Sequence, residues 1–126
     1  MVPQNIFLLA IAGALGTLAR YGTSELVTYL VGKKFAWSTL TVNLIGSLLF
    51  GLVWTLVVKR QILSEQQGLV ILTGFMGAYT TFSTFAFESS QFFEAGRWPA
   101  GLLNLALQNG LGLLAVWAGA AIARAV

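Results

Sequence analysis

The densest run of polar chemistry in the chain lies inside an otherwise apolar stretch, Gly74-Phe-Met-Gly77-Ala-Tyr-Thr80-Thr81-Phe82-Ser83-Thr84-Phe85-Ala-Phe-Glu88. Two glycines precede four hydroxyl residues that fall within five positions. Glycines and hydroxyls together permit a broken helix, because hydroxyls re-satisfy the freed backbone groups. Carbonyls unwound at membrane depth each cost several kcal/mol unless they are buried in protein, hydrated or bound to a cation. A hard cation such as Na⁺ would satisfy them, as in transporters with discontinuous helices. An unbroken helix with hydroxyls bonded back to the preceding turn fits the same composition, and both readings stand open.

Four side chains, two of them within this run, also invite chemistry. Phe82 and Phe85 stand three apart and share a helix face; their ring edges carry positive potential that suits an anion, while lipid contact or packing is the ordinary use of such a pair. Asn43, in Thr39-Leu-Thr-Val-Asn43-Leu-Ile-Gly46, is a polar amide among apolar neighbours. It serves either as interhelical glue, about 0.6 kcal/mol on average, or as a donor to a dehydrating anion. Arg20 lies deep in an apolar segment, roughly 20 Å from its start at 1.5 Å per residue. A charge there costs about 2.5–3.5 kcal/mol, so it needs water or a partner. A positive vestibule, a pairing with Glu88 and snorkelling are the three solutions.

Composition excludes much else. Cysteine and histidine are absent, which removes disulfides, thiolate and imidazole metal sites and the usual general base. The four acids, Glu25, Glu65, Glu88 and Glu94, are scattered, so neither a hydrolytic nor a metal-dependent enzyme has a constellation to work with. A net charge of +3 without a basic run gives no nucleic-acid footprint.

The elements that position these residues are membrane helices. Hydrophobic residues make up 57% of the chain and charged residues 9%, against about 25% charged in a soluble domain. Crossing the hydrocarbon core takes about 20 apolar residues, and four segments qualify, at about residues 6–32, 38–58, 68–94 and 99–123 of a single domain. The first is too long for a cleaved signal and lacks a basic leader. With four spans, Lys59, Arg60 and Arg124 fall on one side and Lys33, Lys34 and Arg97 on the other. That balance gives no positive-inside bias. Either the chain inserts both ways up and pairs about an in-plane two-fold axis, or helix packing selects one orientation. Gly13 and Gly16, Gly46 and Gly51, and Gly110 and Gly112 are candidates for close helix approach.

Three stretches in order, Gly13-Ala-Leu-Gly16-Thr-Leu-Ala-Arg20-Tyr, the Asn43 segment and the Gly74–Glu88 run, resemble the Fluc (CrcB) fluoride channels of microbes over essentially the whole chain. The resemblance implies an all-α membrane protein of four transmembrane helices with a break in the third, assembled as an antiparallel dual-topology homodimer. It implies a structural Na⁺ at the dimer interface, held by backbone carbonyls of Gly77 and Thr80 of each subunit. Two fluoride pores would be lined by Asn43, Phe82, Phe85 and the hydroxyls of Thr81, Ser83 and Thr84. Arg20 would sit near a vestibule and Glu88 toward the other end of the third span. In the fourth span, where relatives carry a tyrosine or small hydroxyls, this sequence offers Asn104 and Gln108, with Asn109 beside them. The implied role is passive fluoride efflux across a bacterial inner membrane, lowering cytoplasmic fluoride.

Two rival classes predict different behaviour. A small proton-coupled dual-topology exporter needs a membrane-embedded carboxylate in its first span, where this chain has Arg20 at the centre and Glu25 toward the end. A purely structural membrane subunit would pass no ions.

Overall fold

The computed structural model describes residues 2–126, and every regular element in them is helical. In order these are α1 (Pro3–Val31), α2 (Trp37–Val58), α3 (Glu65–Gly68), a π-helical segment (Leu69–Met76), α4 (Gly77–Tyr79), α5 (Phe82–Glu94) and α6 (Trp98–Ala125). Four stretches are long and apolar enough to cross a membrane: α1, α2, the run Glu65–Glu94 and α6. The chain is an all-α, multi-pass membrane protein.

Local chemistry sets the ends of these helices. Pro3 opens α1, where its missing N–H is not needed. Ser64 and Gln67 form a reciprocal capping box that starts α3. Gly32 (φ 79°) and Gly96 (φ 74°) take the left-handed turns that follow α1 and α5. Arg97 Nη2 donates to the Lys34 carbonyl at 2.7 Å, and at the opposite end Arg60 donates to the Val126 carbonyl. Three basic residues therefore gather at each end of the bundle.

The most extensive packing is between α2 and α6. A Cβ on Gly51 would meet the Val116 carbonyl, and one on Gly119 the Leu48 carbonyl, so these glycines let the two backbones touch. α1 lies against the π-helical segment in the same way, through Gly16 beside the Phe75 carbonyl and Gly74 beside Ala12. Expectation fails at Gly110 and Gly112. A Cβ at Gly110 would have nothing within 4 Å and one at Gly112 only Ser47 Oγ at 3.9 Å, so the close approach on α6 falls about two turns further along, at Gly119.

The third span is broken between Tyr79 and Phe82. Thr80 (φ −84°, ψ 159°) and Thr81 (φ −147°, ψ 113°) are both extended. The unbroken-helix reading fails here, although one hydroxyl of the run does bond back. Thr80 bonds back to the preceding turn, its Oγ1 and N–H both donating to the Met76 carbonyl at 3.0 Å. Thr81 leaves the helix, and its Oγ1 accepts from Thr84 N–H at 3.2 Å to cap α5. Below the break, Val42, Met76 and Tyr79 form the buried core, with Ala19, Leu49, Ile71 and Phe75 around them. The Tyr79 hydroxyl is satisfied by Thr23 Oγ1 at 3.1 Å.

Candidate functional site

Asn43 follows the buried Val42 in α2, which aims its amide at the break rather than at lipid. Thr81 N–H donates to Asn43 Oδ1 at 2.8 Å, and Asn43 Nδ2 donates back to the Thr81 carbonyl at 3.1 Å. Thr81 N–H is thereby taken from the carbonyl four residues back, Gly77, to which a continuous helix would have bonded it. Asn43 Nδ2 also donates to Gln108 Oε1 at 3.0 Å. From there a chain of amides runs into the protein: Gln108 Nε2 donates to Asn104 Oδ1 at 3.4 Å, and Asn104 Nδ2 to Ser89 Oγ at 2.9 Å. Ser89 Oγ donates to the Phe85 carbonyl at 2.8 Å.

A groove of about 310 Å³ lies between α2, the break and α6. Asn43, Thr80, Thr81, Phe82, Phe85, Gln108 and Asn109 line it, together with Gly46, Ser47, Phe50 and Val116. The rings of Phe82 and Phe85 meet edge to face, 5.6 Å between centroids at 68°. Phe85 is 7% exposed and Phe82 78%, so one ring anchors the wall and the other stands free at its rim. No charged residue and no nucleophile–base pair lines the groove. Its polar surface is amide and hydroxyl, which can solvate an ion but cannot break a bond.

A second groove, of about 440 Å³, carries the charges. Arg20, Glu25, Lys33 and Glu88 line it with Thr39, Thr81 and Thr84 among others. Thr81 is common to both grooves and lies where they meet. The Glu88 carboxylate accepts from Thr39 Oγ1 at 2.6 Å through Oε1, and its buried Oε2 has no hydrogen-bond partner. Arg20 shares this groove without bonding to Glu88, which removes one of the three solutions proposed for it and leaves it lining a polar recess.

Of the expected site residues, Asn43, Thr81, Phe82, Phe85 and Gln108 converge on the first groove. Asn104 does not; at 0% exposure it sits behind Gln108. Ser83 and Thr84 stay outside that groove, near Thr81 Oγ1 at 3.5 and 3.0 Å. Thr80 lines it, while Gly77 is exposed on the protomer surface. Two residues escape sequence reading, Thr39 as the partner of Glu88 and Ser89 as the partner of Asn104. Thr39 precedes Asn43 by four positions and shares its helix face, the one signal that pointed to it. Among the described residues no group of three or more His, Cys, Asp or Glu is placed to hold a metal ion.

Residues 7–120 match the family model described as CrcB-like protein, Camphor Resistance (CrcB). The chain is 46% identical over 123 residues to the fluoride-specific ion channel FluC of Nitrosococcus oceani, covering 98% of each chain. It is 48% identical over 123 residues, again 98% of each, to the protein of that name from Solidesulfovibrio magneticus. With the one from Magnetococcus marinus it shares 38% identity over 98% of its own length and 100% of the relative's.

Proposed function

The chain belongs to the CrcB-like protein family, and from that premise we propose that it is a fluoride-selective channel for passive efflux and not an enzyme. The observation that carries the reading is the convergence of amide side chains, hydroxyls and two aromatic rings on one groove at a helix break. Fluoride is small and strongly hydrated, so a pathway must replace water with donors. N–H groups, hydroxyls and ring edges do this without the tight binding of a fixed charge, and conduction requires that the ion also leave. Phe82, Phe85, Thr81 and Gln108 line the path, with Asn43 holding its wall; Ser83 and Thr84 lie beside it. Arg20, in the adjoining charged groove, raises the local anion concentration at the mouth, and Glu88 lines the same groove.

The channel works as an antiparallel homodimer in a bacterial inner membrane. Three basic residues at each end of the bundle favour insertion both ways up, and the open side of the groove is covered by the second copy. A structural Na⁺ belongs at the dimer interface, held by the Gly77 and Thr80 carbonyls. Their fit rests on the Gly77 carbonyl, released from its helical bond by the Asn43–Thr81 pairing, and on the exposure of Gly77 on the protomer surface. Such an ion would offset the cost of unwound carbonyls at membrane depth.

A proton-coupled exporter is the second reading, and the observation in its favour is Glu88, whose buried Oε2 has no partner in the third span. One experiment separates the two. Purified protein is reconstituted in liposomes loaded with potassium fluoride, the potential is clamped with valinomycin, and an electrode records fluoride against a chloride control. Fast fluoride-only efflux without a pH gradient is the expected result. Efflux that appears only when a pH gradient is imposed would replace the channel by coupled transport.

A further inference from the structure

The hydrogen bonds around Asn43 have a direction, and backbone groups outside the amides set it. Thr81 N–H can only donate, so Asn43 must turn Oδ1 toward it. Both Asn43 N–H donors then face acceptors, the Thr81 carbonyl and Gln108 Oε1. Gln108, with its oxygen committed to Asn43, turns Nε2 toward Asn104 Oδ1. Asn104 in turn donates to Ser89, whose hydroxyl donates to the Phe85 carbonyl. The chain begins at a backbone donor and ends at a backbone acceptor. No amide within it can flip without breaking a bond on each side, so the assignment of its nitrogens and oxygens is forced by the network.

Counting donors along this chain of amides singles out one residue. Asn109, which also lines the groove, differs from it: one N–H donates to the Leu105 carbonyl at 2.7 Å and its oxygen is unbonded among the described residues, so it offers donor and acceptor alike. Asn43 has two N–H groups and an oxygen, and all three are engaged within the protein. Gln108 has its oxygen and one N–H engaged, which leaves a second N–H on a side chain that lines the groove. Asn104 is wholly buried and does not reach the groove.

We propose that Gln108 supplies the anion-binding N–H of the groove, and that Asn104 is the positioning residue that keeps this amide turned donor-outward. The assignment rests on the reading of the groove as a fluoride path and names the residue that reads the ion. An amide free to rotate offers donor and acceptor alike and discriminates poorly between anion and cation. Held between Asn43 and Asn104, Gln108 presents only a donor. A single donor in a fixed direction favours a small, strongly accepting halide over a larger, weaker one. Asn43, by contrast, acts through the backbone it holds.

Two measurements on the full-length protein test this. In detergent micelles with glutamine side-chain nitrogens labelled, the Gln108 amide resonance is the one missing from the spectra of both Gln108→Leu and Gln108→Glu. It is expected to shift on titration of the wild type with sodium fluoride and to stay put with sodium chloride. In liposomes, Gln108→Leu and Gln108→Glu are expected to lower fluoride efflux about tenfold or more, the effect of losing a hydrogen bond to a charged partner. Asn104→Leu is expected to narrow the fluoride-to-chloride ratio rather than only slow the flux, a change that loss of packing alone would not produce. Wild-type fluoride conduction with an unmoved Gln108 resonance overturns the donor assignment and leaves the channel reading intact. A resonance that shifts with fluoride in a wild type that passes none overturns the channel reading and leaves the donor assignment. Unchanged halide selectivity in Asn104→Leu overturns the positioning role.

Discussion

Asn43 closes on both backbone groups of Thr81, accepting from its N–H at 2.8 Å and donating to its carbonyl at 3.1 Å across 38 residues of sequence. One side-chain amide thus plays the part of a neighbouring peptide. It satisfies a residue that has left its helix and whose backbone groups would otherwise be left unpaired. The break is a property of two spans together and belongs to neither alone.

Removing that clamp should loosen the third span. Asn43→Ala leaves the Thr81 N–H and carbonyl and Gln108 Oε1 without their partner, each costing about 1–3 kcal/mol if nothing replaces it. These groups border an open groove where water can enter, so the lower end applies, about 3 kcal/mol in total. Thermal unfolding of the detergent-solubilised protein, followed by tryptophan fluorescence, should show a fall in midpoint together with reduced fluoride flux. A reduced flux with an unchanged midpoint would mean that Asn43 touches the ion instead of holding the wall.

Thr39 and Glu88 should behave as a coupled pair. Thr39 Oγ1 donates to Glu88 Oε1 at 2.6 Å, and Oε2 has no partner. Thr39→Val strips the carboxylate of its remaining side-chain bond, a loss of about 1.5–3 kcal/mol for a charged acceptor. Glu88→Gln should lower the cost of that substitution, so that the double variant is more stable than the sum of the singles predicts, by about 1 kcal/mol. Additive losses in the unfolding cycle would show the contact to be energetically idle.

Helix contact through glycine gives a sharper contrast. A Cβ on Gly119 would strike the Leu48 carbonyl and lie 2.8 Å from Leu52 N, both backbone atoms that cannot swing aside. Gly119→Ala should therefore cost about 1–3 kcal/mol, the range for overpacking. Gly110→Ala, on the same helix with nothing within 4 Å, should be neutral or slightly stabilising, because alanine is the better helix former by about 1 kcal/mol. Similar unfolding midpoints for the two variants would refute the close α2–α6 approach. A loss at Gly110 alone would point to a neighbouring chain packed there.

The four spans were legible because length and hydropathy are local properties. The break was legible only as an option, since glycines and hydroxyls permit it without requiring it. What decides it is Asn43, whose role depends on a partner in another helix. Leu69–Met76 is an apolar run with no mark of the π-helical winding it adopts. Spacing placed Asn104 and Gln108 on one face of α6, yet Ser89 draws the first into the interior and leaves the second on the groove. Likewise Arg20 and Glu88 were plausible partners by charge, and Thr39 reaches Glu88 instead. Periodicity reports a face; it does not report which neighbour that face meets.

Phe82 and Phe85 illustrate the same limit and yield the clearest separation of function from stability. They stand three apart, with rings 5.6 Å from each other, but Phe82 is 78% exposed and Phe85 7%. Phe82→Ile removes little packing from the protomer and should leave its unfolding midpoint nearly unchanged. If the Phe82 ring edge lines the path, fluoride flux should fall about tenfold, equivalent to ~1.4 kcal/mol less stabilisation of the ion in transit. Phe85→Ala should cost about 3–5 kcal/mol in stability, as a buried aromatic does, and should lose flux with the fold. Flux in liposomes and unfolding in detergent, measured on the same preparations, distinguish the cases. Wild-type flux in Phe82→Ile would place the ring in lipid and move the path to the amide side of the groove.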